Sequence, residues 1–481
     1  MSSTYRKVRT RIAPAPSGSI HVGNARTALY CWLFARQNDG SFVLRIEDTD
    51  AARTEEAAYE GVTRDLRWLG LEWDEGPDKD GSHGPYVQSK RADRYSSAAT
   101  RLVDRGAAYR CYCTPEELEA ERKRAQAERR PPGYRGRCRN LSEAERAAFE
   151  AEGRSFSLRF AVPPGRTIEF EDVVRGRVAT ETAQISDFVI VRSNGTATYM
   201  LAAAVDDLLM DITHVIRGED LIAATPRQLL IREGLDVADV PVFAHLPLLV
   251  DERGRPLSKR WGDVSVAAYR AQGFLPEALV NYLALLGWSY DDKTNVFSRS
   301  DLIEKFSLER VGKNPAAFDV AKLEWLNGHY IRALTSDELA ERLVPAAVEA
   351  GLAAEGEEGR RLLRAVAPLI GDRLKRLDEA VPMIRFLFDS VEPDDKARRA
   401  LEGQGDYLGA VAAALESLEA WSADKIEATL RSVAEGRGLK PKQAFQPIRA
   451  AVTGTLVSPP LFESLEILGR EETLARLRAA A

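Results

Sequence analysis

The chain has 481 residues, 44% apolar and 29% charged, with a formal net charge of −6. That length predicts three or more domains in a soluble globular protein, and the lack of a run of about 18 apolar residues excludes a membrane-spanning helix. Four cysteines make no disulfide framework and Met1–Lys7 has no apolar stretch behind it, so a cytoplasmic protein is expected, while the acidic average still leaves room for local basic patches that bind nucleic acid.

Val8–Ile12 is a short β-branched alternation and reads as a strand. Ala25, Ala28, Leu29, Trp32 and Leu33 then recur at helical spacing, and Asn24 is placed to cap their helix. Pro14–Asn24 between them is a strand-to-helix loop, which aims backbone N–H groups and the positive end of a helix dipole at one point. Gly18 and Gly23 let an anion approach the backbone, and His21 adds a donor. The loop lacks the glycines of a P-loop or a dinucleotide fingerprint. Phe42–Ile46 is the next strand and ends at Glu47–Asp50. Ligands of open α/β sheets bind beyond the carboxyl ends of strands, where Arg11 and Glu47 both lie. Thr54 is expected to cap a helix carrying Val62, Leu66 and Leu69, and another helix runs from Arg91 to Arg105.

The pattern then changes. Tyr109–Cys113 reads as a strand, Thr114–Glu117 and Ser142–Glu145 as capping boxes, and Ser155–Val162, Ile168–Val174 and Phe188–Val191 as strands. Asn194-Gly195 predicts a hairpin leading into a strand Thr196–Leu201. These elements predict an α+β insertion in a parallel-sheet domain. It contains Cys111, Cys113 and Cys138, thiolates whose spacing lets them meet at one Zn²⁺. Reduced, inert cysteines are the alternative.

The parallel-sheet pattern returns with helix Ala202–Met210, strand Ile212–Ile216 and helix Pro226–Glu233, capped by Thr225. Leu248–Val250 leads into the turn Asp251–Gly254 and a cationic loop that includes Leu257-Ser258-Lys259-Arg260. Ala267–Gly273 and Pro276–Leu286 are expected as helices, and from Arg332 onward nearly everything is helical, which predicts an all-α bundle.

His21-Val22-Gly23-Asn24 and Leu257-Ser258-Lys259-Arg260 together resemble the His-x-Gly-His and Lys-Met-Ser-Lys-Ser elements of class I aminoacyl-tRNA synthetases. Arg11–Pro14, Arg45–Asp50, Thr213–Asp220 and Gly273–Leu279 narrow the resemblance to bacterial-type glutamyl-tRNA synthetases, from Arg9 to the C-terminus. The resemblance implies an α/β Rossmann-like catalytic domain with an α+β connecting insertion, followed by an all-α anticodon-binding half. The expected divisions are 1–95 and 200–250 for the catalytic domain, 96–199 for the insertion that holds the tRNA acceptor end, 251–331 for the stem-contact domain, and 332–481 for two helical subdomains meeting near 392. Glutaminyl enzymes carry a β-barrel in that half and the queuosine-modifying relative lacks it, so the helical pattern disfavours both. An RNA-binding descendant without chemistry and a tRNA-independent adenylyltransferase are the rival classes.

The resemblance further implies activation of L-glutamate by ATP with Mg²⁺ and transfer to tRNA(Glu), with tRNA(Gln) left open, by a monomer. His21, Gly23, Asn24, Ser258, Lys259 and Arg260 are then the catalytic elements. Arg11, Ala13, Glu47, Tyr199 and Arg217 match the glutamate site; arginines suit the two carboxylates and Glu47 the ammonium. Ala15 and Ala203 stand where the family commonly has serine and asparagine. Glu219 is either an ATP contact or a solvated loop acid. Arg373 is a tRNA contact by resemblance; Lys440, Lys442 and Arg449, with Phe445 among them, are candidates by charge and stacking. Some relatives complete a zinc site with a histidine where this chain has Asn140, a poor ligand; Tyr134 matches the tyrosine that others use.

Overall fold

The computed structural model describes residues 7–16, 18–49, 56–129, 133–257 and 264–481. Ser258, Lys259 and Arg260, and the expected cap Thr54, lie outside the described residues. The chain divides into two compact units, one of residues up to Ala267 together with Val280–Asp319, the other of Ala268–Leu279 with Val320–Ala481.

In the first unit, strand β1 (Arg9–Ile12) leads through the 13–21 loop into helix α1 (Val22–Gln37) and strand β2 (Ser41–Leu44). β1 and β2 pair in parallel, Arg9 opposite Ser41. Helix α1 is buried almost all round: Ala25, Ala28, Leu29, Tyr30 and Leu33 are fully covered. Helix α2 (Glu56–Trp68) turns Val62 and Leu66 inward, and its buried Asp65 accepts hydrogen bonds from Ser19 Oγ and the Ile20 N–H, which holds these two residues just before α1. Helix α3 (Ala92–Asp104) and strand β3 (Ala108–Cys111) follow. Helices α4 (Pro115–Ala127) and α5 (Glu143–Ala151) begin with the two capping boxes expected at Thr114 and Ser142.

Strands β4 (Ser157–Phe160), β5 (Thr167–Asp172), β6 (Gly176–Glu181) and β7 (Phe188–Val191) come next. The turn at Asn194-Gly195 forms, with Gly195 at φ +85°, but its return arm is a single bridge, Val191 to Ala197. The expected strand Thr196–Leu201 gives way to helix α6 (Tyr199–Leu209), because Leu201, Ala202 and Val205 find more cover against α3 than a strand edge would offer. Strand β8 (His214–Gly218), helix α7 (Thr225–Gly234) and strand β9 (Val242–Leu246) complete the sheet region. Thr225 is the first residue of α7 rather than its cap. The sheet order is β6-β5-β9-β8, with β5 parallel to β9 through Asp172 and Phe243, so a strand from the predicted insertion is hydrogen-bonded into the parallel sheet. Thr213 N–H donates to Arg9 O at the start of β8, which sets β8 beside β1.

The second unit is helical among the described residues. Its apolar core forms two clusters, one including Leu339, Leu363, Val366 and Ile384, the other Leu408, Val411, Leu430, Ile448 and Leu465. Of the helical stripes that the sequence predicts, Leu362, Val366, Leu369 and Ile370 on one helix and Ile426, Leu430 and Val433 on another, all are buried except Leu369 and Val433, which are half-buried. No helix among the described residues is long and apolar enough to cross a membrane.

Candidate active site

A cavity of about 510 Å³ lies at the carboxyl ends of β1, β2, β8 and β9 and at the start of α1. Its lining includes Arg11, Ala13, His21, Gly23, Asn24, Glu47, Tyr199 and Arg217, so residues up to 206 positions apart in sequence are brought together as expected. The size and strand-end placement are those of a small-molecule site. Asp220, Arg26, Pro247, Leu249, Pro256 and Leu257 also line it.

Helix α1 opens on this cavity. Its cap is His21, not Asn24: the His21 ring Nδ1 accepts from the Gly23 N–H at 3.1 Å, and the His21 carbonyl accepts from Ala25 N. Asn24 is drawn into the first turn. An accepting Nδ1 leaves the neutral ring with its proton on Nε2, a donor. Gly23 serves this cap directly, since a Cβ there would meet His21 Nδ1 at 3.3 Å. The 264–266 stretch runs alongside: Val22 N–H donates to Val264 O and Val266 N–H to Ile20 O. Leu257, at the near end of residues 258–263, donates its N–H to Leu249 O.

Below the cavity lies a buried ionic network that sequence reasoning missed. Arg11 grips Asp207 through Nε at 3.0 Å and Nη2 at 3.2 Å. Arg45 reaches Asp207 at 2.7 Å, Glu47 at 3.1 Å and Asp206 at 3.7 Å. Arg91 binds Asp206 at 2.5 Å, and Tyr95 and Gln88 each donate to Asp206 at 2.8 Å. Three guanidiniums therefore face three carboxylates, Asp206, Asp207 and Glu47. Burial pushes the Asp207 carboxyl upward, but Arg11 and Arg45 overcome it and hold it below the usual range. Burial raises Glu47, with Arg45 opposing. The signal for Asp206 and Asp207 was there: paired acids near the C-terminal end of an apolar helix run against the helix dipole and need a tertiary reason. The expected bidentate carboxylate seat at Arg11 is modified accordingly, because its Nε–Nη2 edge is committed to Asp207.

Arg217 differs. It is 4% exposed and three of its five N–H donors go to neutral acceptors: Nε to His245 Nε2 at 3.1 Å, Nη1 to Tyr199 Oη at 3.3 Å, and Nη2 to Thr225 Oγ1 at 2.8 Å. Burial lowers its pKa, with Tyr199 opposing. Glu219 does not line the cavity; its carboxylate accepts from Leu248 N–H at 2.8 Å and pairs with Arg175. Its neighbour Asp220 takes the cavity position.

Two further groups of predicted residues stand apart. Cys111, Cys113 and Cys138 place their sulfurs within 4.8 Å of one another. Tyr134 Oη accepts from Cys111 Sγ at 3.5 Å and from Cys138 N–H at 2.8 Å. Hydrogen bonding from Cys113 pushes the Cys111 thiol down, with burial opposing. In the helical unit, Arg373 Nη1 donates to Ser458 O at 3.1 Å, and Arg449 Nη1 donates to Pro459 O at 2.7 Å and to the Ser458 hydroxyl. The two arginines converge on one turn. Exposed Lys440 and Lys442 stand at the start of helix Pro441–Thr453, about 10–14 Å from Arg449 along it. Phe445 is half-buried against Phe462.

Residues 7–325 match the family described as tRNA synthetases class I (E and Q), catalytic domain, and residues 338–481 match the Anticodon binding domain. The fold is thus that of a class I tRNA synthetase of the glutamate and glutamine group. The chain is 48% identical to a glutamate–tRNA ligase of Saccharopolyspora erythraea, over 98% of this chain and 96% of that one. It is 45% identical to the glutamate–tRNA ligase of Moorella thermoacetica, over 99% and 98%. A crystal structure of a glutamate tRNA ligase from Elizabethkingia meningosepticum, in complex with its amino acid, superposes with a TM-score of 0.84 at 32% identity, covering 99% of both chains. The chain belongs to the glutamate–tRNA ligase family.

Breaking a buried ion pair leaves an uncompensated charge. Asp207→Ala is therefore expected to cost about 3–5 kcal/mol, read as a lower urea midpoint. Glu358→Ala, at an exposed pair with Arg361, should leave the urea midpoint nearly unchanged, because solvent screens such a pair. Since folding lowers the Asp207 pKa, its contribution is full above about pH 4 and is lost as pH falls further.

Proposed function

We propose that the chain joins L-glutamate to ATP, forming glutamyl-adenylate and pyrophosphate, and transfers the glutamyl group to the 3′ end of tRNA(Glu), releasing AMP. The observation that carries this reading is Arg217: a buried guanidinium, bordering a cavity, with no carboxylate partner among the described residues. The ionic network beneath is balanced three against three, so Arg217 leaves a positive charge for a ligand. Glutamate, with two carboxylates and one ammonium, carries the matching net negative charge. Glu47, in the cavity lining, is the acid assigned to the ammonium.

The reaction needs positioning and charge stabilisation, and no protein nucleophile. The α-carboxylate oxygen of glutamate attacks the α-phosphorus of ATP, and the bond to the β-phosphate oxygen breaks as pyrophosphate leaves. A 3′-terminal ribose hydroxyl of tRNA then attacks the mixed anhydride, losing its proton as AMP departs. The start of α1 offers backbone N–H groups, and His21 an Nε2–H, to phosphate oxygens. Lys259 follows Leu257, a cavity residue, by two positions and is assigned to the transferring phosphates; Ser258 and Arg260 flank it. Mg²⁺ bound with ATP supplies further neutralisation of phosphate charge. A monomer acting in the cytoplasm fits this reading.

For zinc, three thiolates and Tyr134 Oη match the donor set of a tetrahedral structural site. Cys111, Cys113, Cys138 and Tyr134 are the assigned ligands, and the metal would couple its binding to folding of the surrounding elements. For tRNA, Arg373 and Arg449 are assigned to the anticodon side, with Lys440 and Lys442 as phosphate contacts.

Arg217→Ala is expected to raise the KM for glutamate sharply and leave that for ATP nearly unchanged; equal rises would mean a collapsed site. Lys259→Ala should lower kcat for adenylate formation by about 10²–10³ with ATP binding largely kept, and His21→Ala should act alike. Pyrophosphate exchange assayed with and without tRNA checks both. Elemental analysis after chelator-free purification should find about one zinc per chain; Tyr134→Phe should weaken its retention, and Asn140→Ala should not. Arg373→Ala and Arg449→Ala should raise the KM for tRNA by about tenfold, the loss of one charged hydrogen bond, with glutamate and ATP constants unchanged.

A further inference from the structure

Arg217 can receive a carboxylate only if its guanidinium plane is held, and the structure shows what holds it. His245 is fully buried on β9, its ring stacked at 15° on Phe243 and tilted against Phe170. Arg217 Nε–H donates to His245 Nε2 at 3.1 Å, and the Thr225 hydroxyl lies 3.2 Å from the same nitrogen. Arginine is always protonated, so Nε2 has to be the acceptor and the ring proton has to be on Nδ1. That proton faces Asp172 Oδ2 at 2.6 Å. Asp172 is itself immobilised: its oxygens accept from the backbone N–H groups of Val174 at 3.0 Å, Arg175 at 2.8 Å and His245 at 3.0 Å. The charged groups acting on the ring are thus Asp172 from β5, Arg217 from β8 and Arg11 from β1. Burial keeps the imidazole neutral, with Asp172 opposing.

We propose that Asp172 and His245 are positioning residues that act through Arg217, locking one histidine tautomer so that its lone pair aims the guanidinium at the substrate carboxylate. This rests on the reading of Arg217 as that carboxylate's partner. The opposite tautomer would set N–H against N–H and release the guanidinium. Asp172→Asn is built to force it. With its oxygen at the Oδ1 position the amide can keep the Val174 and Arg175 N–H groups and, at 3.2 Å, that of His245, while the amide NH₂ faces Nδ1, which then has to accept.

Asp172→Asn should raise the KM for glutamate by about tenfold, as expected for one hydrogen bond to a charged group, with kcat and the KM for ATP changed far less. His245→Gln, whose amide oxygen can accept from Arg217, should stay close to wild type; His245→Leu should behave like Asp172→Asn. Nitrogen-15 spectra of histidine-labelled protein supply an independent readout, with the His245 signal assigned by its loss in His245→Gln. The wild type should show a protonated Nδ1 and a bare Nε2, and Asp172→Asn the reverse. A wild-type His245 protonated on Nε2 overturns the proposal. So does an unchanged glutamate KM in Asp172→Asn once its tautomer has flipped. Should Asp172→Asn fail to fold, equal glutamate KM values in His245→Gln and His245→Leu overturn it. The parallel Arg217→Ala variant separates the two failures: if its glutamate KM is unchanged, the reading of Arg217 is wrong; if it rises while the others stay flat, only the tautomer lock is wrong.

Discussion

Asp207 carries two buried arginines, and the cavity depends on that one carboxylate. Arg11 leaves β1 and Arg45 follows β2, and their like charges are drawn to one point by Asp207 on α6. Each ion taken out of water costs several kcal/mol, which only close, well-formed pairs offset. The Arg91–Asp206 pair extends the same arrangement toward α3. The strand ends are thereby fixed relative to α6 without an apolar plug, which leaves room above them for a polar ligand.

The cavity uses charge in two ways. Arg11, Arg45 and Glu47 are satisfied within the protein, so their charges set geometry. Arg217 is surrounded by neutral acceptors, so its charge is unspent. In the same cavity lining, α1 is capped by a histidine whose Nδ1 accepts from the Gly23 N–H. In the proposed function, one site combines an arginine for the substrate carboxylate and a helix start for the phosphates. That pairing is what joining an amino acid to a nucleotide requires.

Several elements were legible in the sequence because their signals are local. The capping boxes at Thr114 and Ser142 formed as expected, since both reciprocal hydrogen bonds lie within four residues. The strand–loop–helix unit around His21 was legible from its periodicity, although its cap was misjudged: a histidine ring competing with Asn24 for the cap was not an expected use of that side chain. The strand expected at Thr196–Leu201 failed for a non-local reason, since α3 and α7 offer an apolar surface that favours a helix there.

The sequence by itself determined the apolar stripes, the caps, the glycine-dependent loop, the cysteine cluster and the set of residues that resemble a glutamate-activating enzyme. These follow from spacing and from side-chain chemistry, which are properties of the chain. Only the tertiary structure decided which of the charged residues are spent on one another. Asp207 and Arg11 are 196 positions apart, as are no local motif's members, and Asp172, His245 and Arg217 come from three strands. Charge compensation depends on distance and burial, and both exist only once the strands have been brought side by side.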